Sequence, residues 1–212
     1  MNNLPFSRVL VLSPHTDDGE FGCGASISRF LDDGIEIYYA VFSLAEESVP
    51  SQYPKNILGK EVKKATRALG IDKDNLMIYK YPVRRFSENR QDILENLVQL
   101  NKEIDPDLVF MPCLEDLHQD HSTIAKEGLR AFKMKSILGY EIPWNNINFS
   151  TRSFIVFNKI HLDRKLSALS CYESQKHRYY ASEDFITGLA RSRGTQIGEK
   201  YAEVFEVVRW IL

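Results

Sequence analysis

The sequence predicts an α/β protein: a mainly parallel, Rossmann-like sheet with helices on both faces, forming one domain over residues 1–212. Three observations support this. Strand-like and helix-like segments alternate along the whole chain, as a parallel sheet with crossover helices requires. The strand segments at 8–13 and 107–111 are unbroken apolar runs, which suit strands covered on both faces. No linker, repeat or low-complexity tract divides the chain.

In order, residues 8–13 form the first strand, and 22–31 a helix with Ile27, Phe30 and Leu31 on one face, stopped at Gly34. Residues 35–42 are a second strand, 59–69 an amphipathic helix closed by Gly70, 75–80 a third strand and 92–104 a helix. The fourth strand, 107–111, ends at Pro112, and a helix over 122–132 follows. Strands at 136–140, 153–157 and 204–210 and helices at 161–170 and 183–191 complete the chain. Ligands of such sheets bind beyond the carboxyl ends of the strands, where strand order reverses. In the common 3-2-1-4 order that point lies between strands 1 and 4, so chemistry is expected in the loops after Ser13 and Met111.

Composition narrows the function classes. A net charge of −2 and 43% hydrophobic residues argue against a nucleic-acid-binding chain. No apolar run approaches the ~20 residues of an integral membrane segment. The stretch 1–15 lacks the features of a signal peptide, and Cys23, Cys113 and Cys171 show no CxxC spacing, so a cytoplasmic protein without disulfides or a thiolate zinc site is expected.

The first loop reads Ser13-Pro14-His15-Thr16-Asp17-Asp18-Gly19-Glu20, a histidine followed by three carboxylates. His15 and Asp18 can share one ion if the turn coils, leaving Asp17 free as a base. Imidazole with carboxylate suits Zn²⁺, Fe²⁺ or another borderline divalent metal better than Ca²⁺. The competing explanation is an acidic helix N-terminus. Gly22-Cys23-Gly24 is not a dinucleotide fingerprint, because Ile27 stands at the third glycine; these glycines instead permit close packing of the helix. A phospho-receiver is disfavoured by the absence of an Asp after strand 3, and a serine hydrolase around Ser174 by the absence of G-x-S-x-G.

The second loop, Asp116-Leu117-His118-Gln119-Asp120-His121, holds two of the five histidines and is expected to face the first. His15, Asp18 and one histidine of this pair make a His₂Asp metal site with an open position, as in catalytic zinc centres. Asp17 is then the general base, and the other histidine stabilises an oxyanion or protonates the leaving amine.

Those two motifs resemble the PIG-L/LmbE-like family of metal-dependent N-deacetylases. The family's P-H-P-D-D-E is matched by Pro14-His15-Thr16-Asp17-Asp18, with Gly19 before Glu20, and its H-P-D-H by His118-Gln119-Asp120-His121. Tyr172-Glu173-Ser174-Gln175 and residues 198–205 extend the likeness. The resemblance implies metal ligands His15, Asp18 and His121, with Asp17 as base, His118 as charged stabiliser or acid, and Asp120 completing the catalytic group by orienting a histidine. It also implies zinc-dependent removal of acetyl from an N-acetylglucosamine-type sugar or conjugate. Leu58, where some thiol-pathway members carry Arg, weakens a bacillithiol-type substrate.

Arg84, Glu141, Trp144 and Gln175 are candidate substrate residues, Trp144 by stacking on a sugar ring or else by packing in the core, and Arg84 with Arg85 by binding a phosphate or else, the favoured reading, as a solvated surface pair. Arg85, Asn145 and Arg191–Arg193 are further polar neighbours; His161 and His177 read as structural or exposed. The partner is expected to be a small amino-sugar conjugate, and a homo-oligomer is compatible with the sequence. Two other classes remain open: another metallohydrolase such as a phosphoesterase, disfavoured by the scarcity of bridging carboxylates, and a non-catalytic sugar-binding module, disfavoured by a free Asp17.

Overall fold

The computed structural model describes residues 5–211; residues 1–4, part of the stretch read for a leader peptide, and Leu212 lie outside it. Strand β1 (Arg8–Ser13) is followed by helix α1 (Asp18–Asp32), β2 (Glu36–Val41), α2 (Ile57–Leu69) and β3 (Leu76–Ile78). Then come α3 (Arg90–Ile104), β4 (Leu108–Pro112), α4 (Gln119–Ala131) and β5 (Ser136–Tyr140). The last elements are β6 (Ser153–Val156), α5 (Lys159–Ser170), α6 (Glu183–Thr195) and β7 (Ala202–Arg209).

One sheet takes in all seven strands in the order β3-β2-β1-β4-β5-β7-β6. The first five are parallel, whereas β7 runs antiparallel to both β5 and β6. The 3-2-1-4 order is thus present, and strand order reverses between β1 and β4. Alternation along β1 explains the unbroken apolar run. Val9 and Val11 pack on the face covered by α1, α2, α5 and α6, while Leu10 and Leu12 pack against α3 and α4. A strand with helices on both sides has no polar face to show.

Helices α1 and α4 begin three to four residues earlier than hydrophobic periodicity indicates, at Asp18 and Gln119. Both polar motifs therefore sit in a first helical turn. Gly22 lets α1 lie directly on the sheet, since a Cβ there would enter the Tyr140 ring. A Cβ at Gly19 would likewise meet the Tyr39 ring, so the helix start is pinned to β2.

α1 is broken at Cys23 (φ −144°, ψ 20°), and the chain supplies partners for the groups this releases. In an unbroken helix the Ala25 amide would bond the Phe21 carbonyl. Instead Ala25 and Ser26 donate backbone N–H to Glu203 at 3.1 and 2.7 Å, and Lys165 Nζ takes the Phe21 carbonyl at 2.6 Å. Lys165 and Glu203 pair at 2.7 Å, both nearly buried. The pair caps both ends of the break and is fully hydrogen-bonded, the condition under which a buried ion pair is tolerated.

Lys165→Met leaves the Glu203 carboxylate buried without its counter-charge and the Phe21 carbonyl without a donor. Urea unfolding is expected to show a loss of about 3–5 kcal/mol.

Candidate active site

The loops after β1 and β4 meet at the carboxyl edge of the sheet, as the strand order requires. His15 lies in the turn between β1 and α1, Asp18 in the first turn of α1, and His121 in the first turn of α4. His15 Nδ1 and His121 Nε2 are 3.2 Å apart, and each lies 3.1 Å from Asp18 Oδ2. Ligands of a tetrahedral zinc at 2.0–2.2 Å lie about 3.3–3.6 Å apart, so little movement would bring these three atoms onto one ion.

The far side of each ring decides what those atoms are. His15 Nε2 meets Asp120 Oδ2 at 3.0 Å, and His121 Nδ1 meets Asp116 Oδ2 at 2.8 Å. A carboxylate accepts, so each of these nitrogens carries the ring proton. Without a cation, a second proton on either ring is donated to Asp18 Oδ2; with a cation in its place, His15 Nδ1 and His121 Nε2 turn lone pairs to it beside the Asp18 carboxylate. Burial alone would lower the affinity of both rings for a second proton, but the Asp18 charge and the carboxylates behind them raise their pKa values to about 8 and about 10. The same histidines hold Asp18 well below the usual carboxylate range despite its burial. A divalent cation satisfies this donor set directly, and carboxylate-backed histidines are the usual way a protein orients metal ligands. The residues fit a metal.

The three histidines 15, 118 and 121 bring one nitrogen each within 4.8 Å of one another. His118 has a different position from the other two. Its Nδ1 accepts the Asp120 backbone N–H at 3.2 Å, which caps α4 and leaves the ring proton on Nε2. Burial and the neighbouring histidines lower its pKa.

Asp17 stands at the N-cap of α1, yet its side chain makes no capping hydrogen bond. The helix-cap explanation of the acidic cluster thus fails at the residue where it would apply. Burial and the adjacent Asp18 raise Asp17 to about 6, against the opposing pull of Arg178 and His15. Glu20 is wholly buried, accepting from Tyr39 and lying 2.9 Å from the Tyr172 hydroxyl. Burial lifts it to about 8. Glu20 ties the helix start to β2 and to the 172–176 segment and does not reach the cleft.

His15, Asp17, Asp18, His118 and His121 line one cleft of about 330 Å³, at the small end of ligand pockets. Of the expected substrate residues, Arg84, Trp144 and Gln175 line it. Trp144 is 38% exposed and stacks on Tyr180 with centroids 3.8 Å apart, so it forms a wall and is not core. Glu141 is placed elsewhere: it is buried in a two-point ion pair with Arg193. Asp120, grouped with the catalytic residues from sequence, is fully buried away from the cleft. It accepts from Arg84 N (2.6 Å) and Phe86 N (3.3 Å) as well as His15, and so positions the site. Sequence reading missed Asp116 as the support of His121, although it lies in the same loop as the second motif, and missed Arg178 and Tyr180, which cap and occupy a short 3₁₀ turn (Tyr179–Ala181) with no periodic signal.

A free carboxylate beside a His/Asp cluster that fits a cation, at the switch point of a Rossmann-like sheet, is compatible with hydrolytic chemistry. The comparisons specify the class as the deacetylases, hydrolases of amide bonds. Residues 10–132 match the PIG-L family, described as GlcNAc-PI de-N-acetylase, and the chain belongs to that family. It is 26% identical over 172 residues to the uncharacterized deacetylase YaiS of Escherichia coli K12, covering 78% of this chain and 90% of that one. The fold is similar to N,N'-diacetylchitobiose deacetylase of Pyrococcus horikoshii (TM-score 0.79, 22% identity, 96% and 84% coverage). It is equally similar to the 4-carboxy-2-hydroxymuconate hydratase of Pseudomonas putida KT2440 (TM-score 0.79, 17% identity, 97% and 98% coverage). Among the described residues no helix is long and apolar enough to cross a membrane.

Asp116→Asn removes the charge behind His121. Metal titration followed by elemental analysis is expected to show affinity lowered by about 10–100-fold, with the fold retained.

Proposed function

We propose that this chain is a zinc-dependent N-deacetylase, its domain taking in residues 1–212, that releases acetate from an N-acetylated amino sugar or its conjugate. The observation that carries the reading is the triangle of His15 Nδ1, Asp18 Oδ2 and His121 Nε2, at 3.1–3.2 Å, beside the unbonded carboxylate of Asp17 in one cleft. The family match and the sugar substrates named for its members support it. Fe²⁺ or another divalent ion suits the same donors.

When bound at His15, Asp18 and His121, the metal supplies Lewis acidity, polarising the amide carbonyl and acidifying water. Asp17 takes a proton from the attacking water as its oxygen bonds to the carbonyl carbon. His118, its ring proton on Nε2, donates to the oxyanion of the tetrahedral intermediate. Asp17 then returns the proton to the amide nitrogen, and the C–N bond breaks to give acetate and the free amine. Asp116 and Asp120 keep the two ligand rings from rotating. Trp144, stacked on Tyr180, offers an aromatic edge to a sugar, while Gln175 and Arg84 offer polar contacts. The cysteines are unpaired, with Cys23 and Cys113 buried, which accords with a reducing, cytoplasmic setting.

Acetate release from a panel of N-acetylated sugars tests the reading. Asp17→Asn is expected to lower kcat by about 10²–10⁴-fold with metal still bound. Undiminished acetate release from metal-stripped protein, or full activity in Asp17→Asn, would overturn the mechanism.

A further inference from the structure

Two arginines on the cleft wall lack acidic partners. Seven of the thirteen arginines make ion pairs with Asp or Glu; among the described residues Arg84 and Arg178 are two of the six that do not, and the two of those six that line the cleft. Both line the same cleft as the histidines.

Each is held in place. Arg178 donates from Nη1 to the Tyr180 hydroxyl and lies 5.6 Å from the centre of that ring, which itself stacks on Trp144. Its Nε is buried with no hydrogen-bond partner. A buried guanidinium N–H left unbonded costs free energy that a ligand oxygen can restore. Arg84 sits in a left-handed backbone conformation (φ 66°) that disfavours any side chain but glycine. Buried Asp120 holds it there through the backbone N–H, and Ser48 Oγ accepts from its Nη2 at 2.8 Å. The chain thus keeps an arginine at a strained position on the cleft wall, where glycine would relieve the strain.

We propose that Arg84 and Arg178 form an anion subsite, so that the ligand of this cleft is an amino sugar bearing a phosphate or carboxylate substituent. Arginine suits this task because its planar donors match either group and keep their charge at any working pH. The subsite deepens the deacetylase reading for substrate identity, but its binding energy does not depend on hydrolysis. The neutral sugar stacks on the aromatic wall, and the anion extends to the arginines.

Calorimetric titration of metal-loaded protein with glucosamine, glucosamine 6-phosphate and muramic acid tests binding without any acetyl group to cleave. The anionic ligands are expected to bind about 10–100-fold tighter than glucosamine, and which of the two is preferred separates phosphate from carboxylate. In R178Q and R84Q the advantage should fall to within about 3-fold, and R178K should recover part of it; melting curves verify folding of each variant. Equal affinity for neutral and anionic sugars would overturn the subsite. So would a phosphate preference that survives in the R84Q/R178Q double variant, which would place the anion on the metal alone. Acetate release from N-acetylglucosamine and its 6-phosphate is then measured. If neither is cleaved while the binding preference holds, the deacetylase reading falls and the subsite stands.

Discussion

Two imidazole nitrogens and a carboxylate oxygen are held within 3.2 Å of one another. No proton-sharing scheme with both rings neutral satisfies that arrangement, so its upkeep falls to the surrounding fold. His15 lies in the turn after β1, and Asp18 and His121 in the first helical turns that follow the neighbouring strands β1 and β4. Asp120 and Asp116 fix the rings from behind, and the amide of His15 donates to Asp18 Oδ2 at 2.8 Å. Each support comes from a residue within the two loops, so ligands and supports are set by the same two turns.

Those turns in turn rest on α1. Its first half carries Asp18, Glu20 and Phe21, and its second half packs against α5. The break at Cys23 lets the two halves follow different directions, one set by Tyr39 and Tyr172 around Glu20, the other by the helix layer. Lys165 and Glu203 make the break tolerable by replacing lost helical hydrogen bonds with charged ones. A pair so far from the chemistry therefore bears on where Asp17 and Asp18 stand.

Much of this was legible in the sequence, because burial on both faces writes itself into β1 and β4 and alternating strands and helices imply a parallel sheet, whose commonest order is 3-2-1-4. The insertion of antiparallel β7 between β5 and β6 left no local signal. The late helix starts have a physical cause. A ligand-bearing first turn is polar, so apolar periodicity begins only after it, at Gly22 and Ser122, while the hydrogen-bonded helix begins at Asp18 and Gln119. Glu141 shows the opposite limit. Its neighbour Trp144 does face the cleft, but nothing local to the sequence announces that Arg193, 52 positions on, captures the carboxylate. Arg178 and Tyr180 were illegible for a related reason: a one-turn segment has no period, and its position depends on α5 and α6 docking around it.

Similarity to both a deacetylase and a hydratase shows that this fold by itself does not select a reaction. Both reactions add the elements of water. Amide hydrolysis asks for more: a donor to the oxyanion, and a group that can return a proton to the nitrogen. A ring N–H is available because Asp120 offers its backbone N–H to His118 Nδ1, which leaves the ring proton on Nε2. A free carboxylate is available because Asp17, though placed at a helix N-terminus, spends no hydrogen bond on capping it. One aspartate in the second motif thus serves two histidines at once, its side chain holding a ligand ring and its main chain setting the tautomer of the donor. That coupling ties the spacing of His118, Asp120 and His121 to the chemistry, since moving any one of them by a residue would break either the ligand support or the donor.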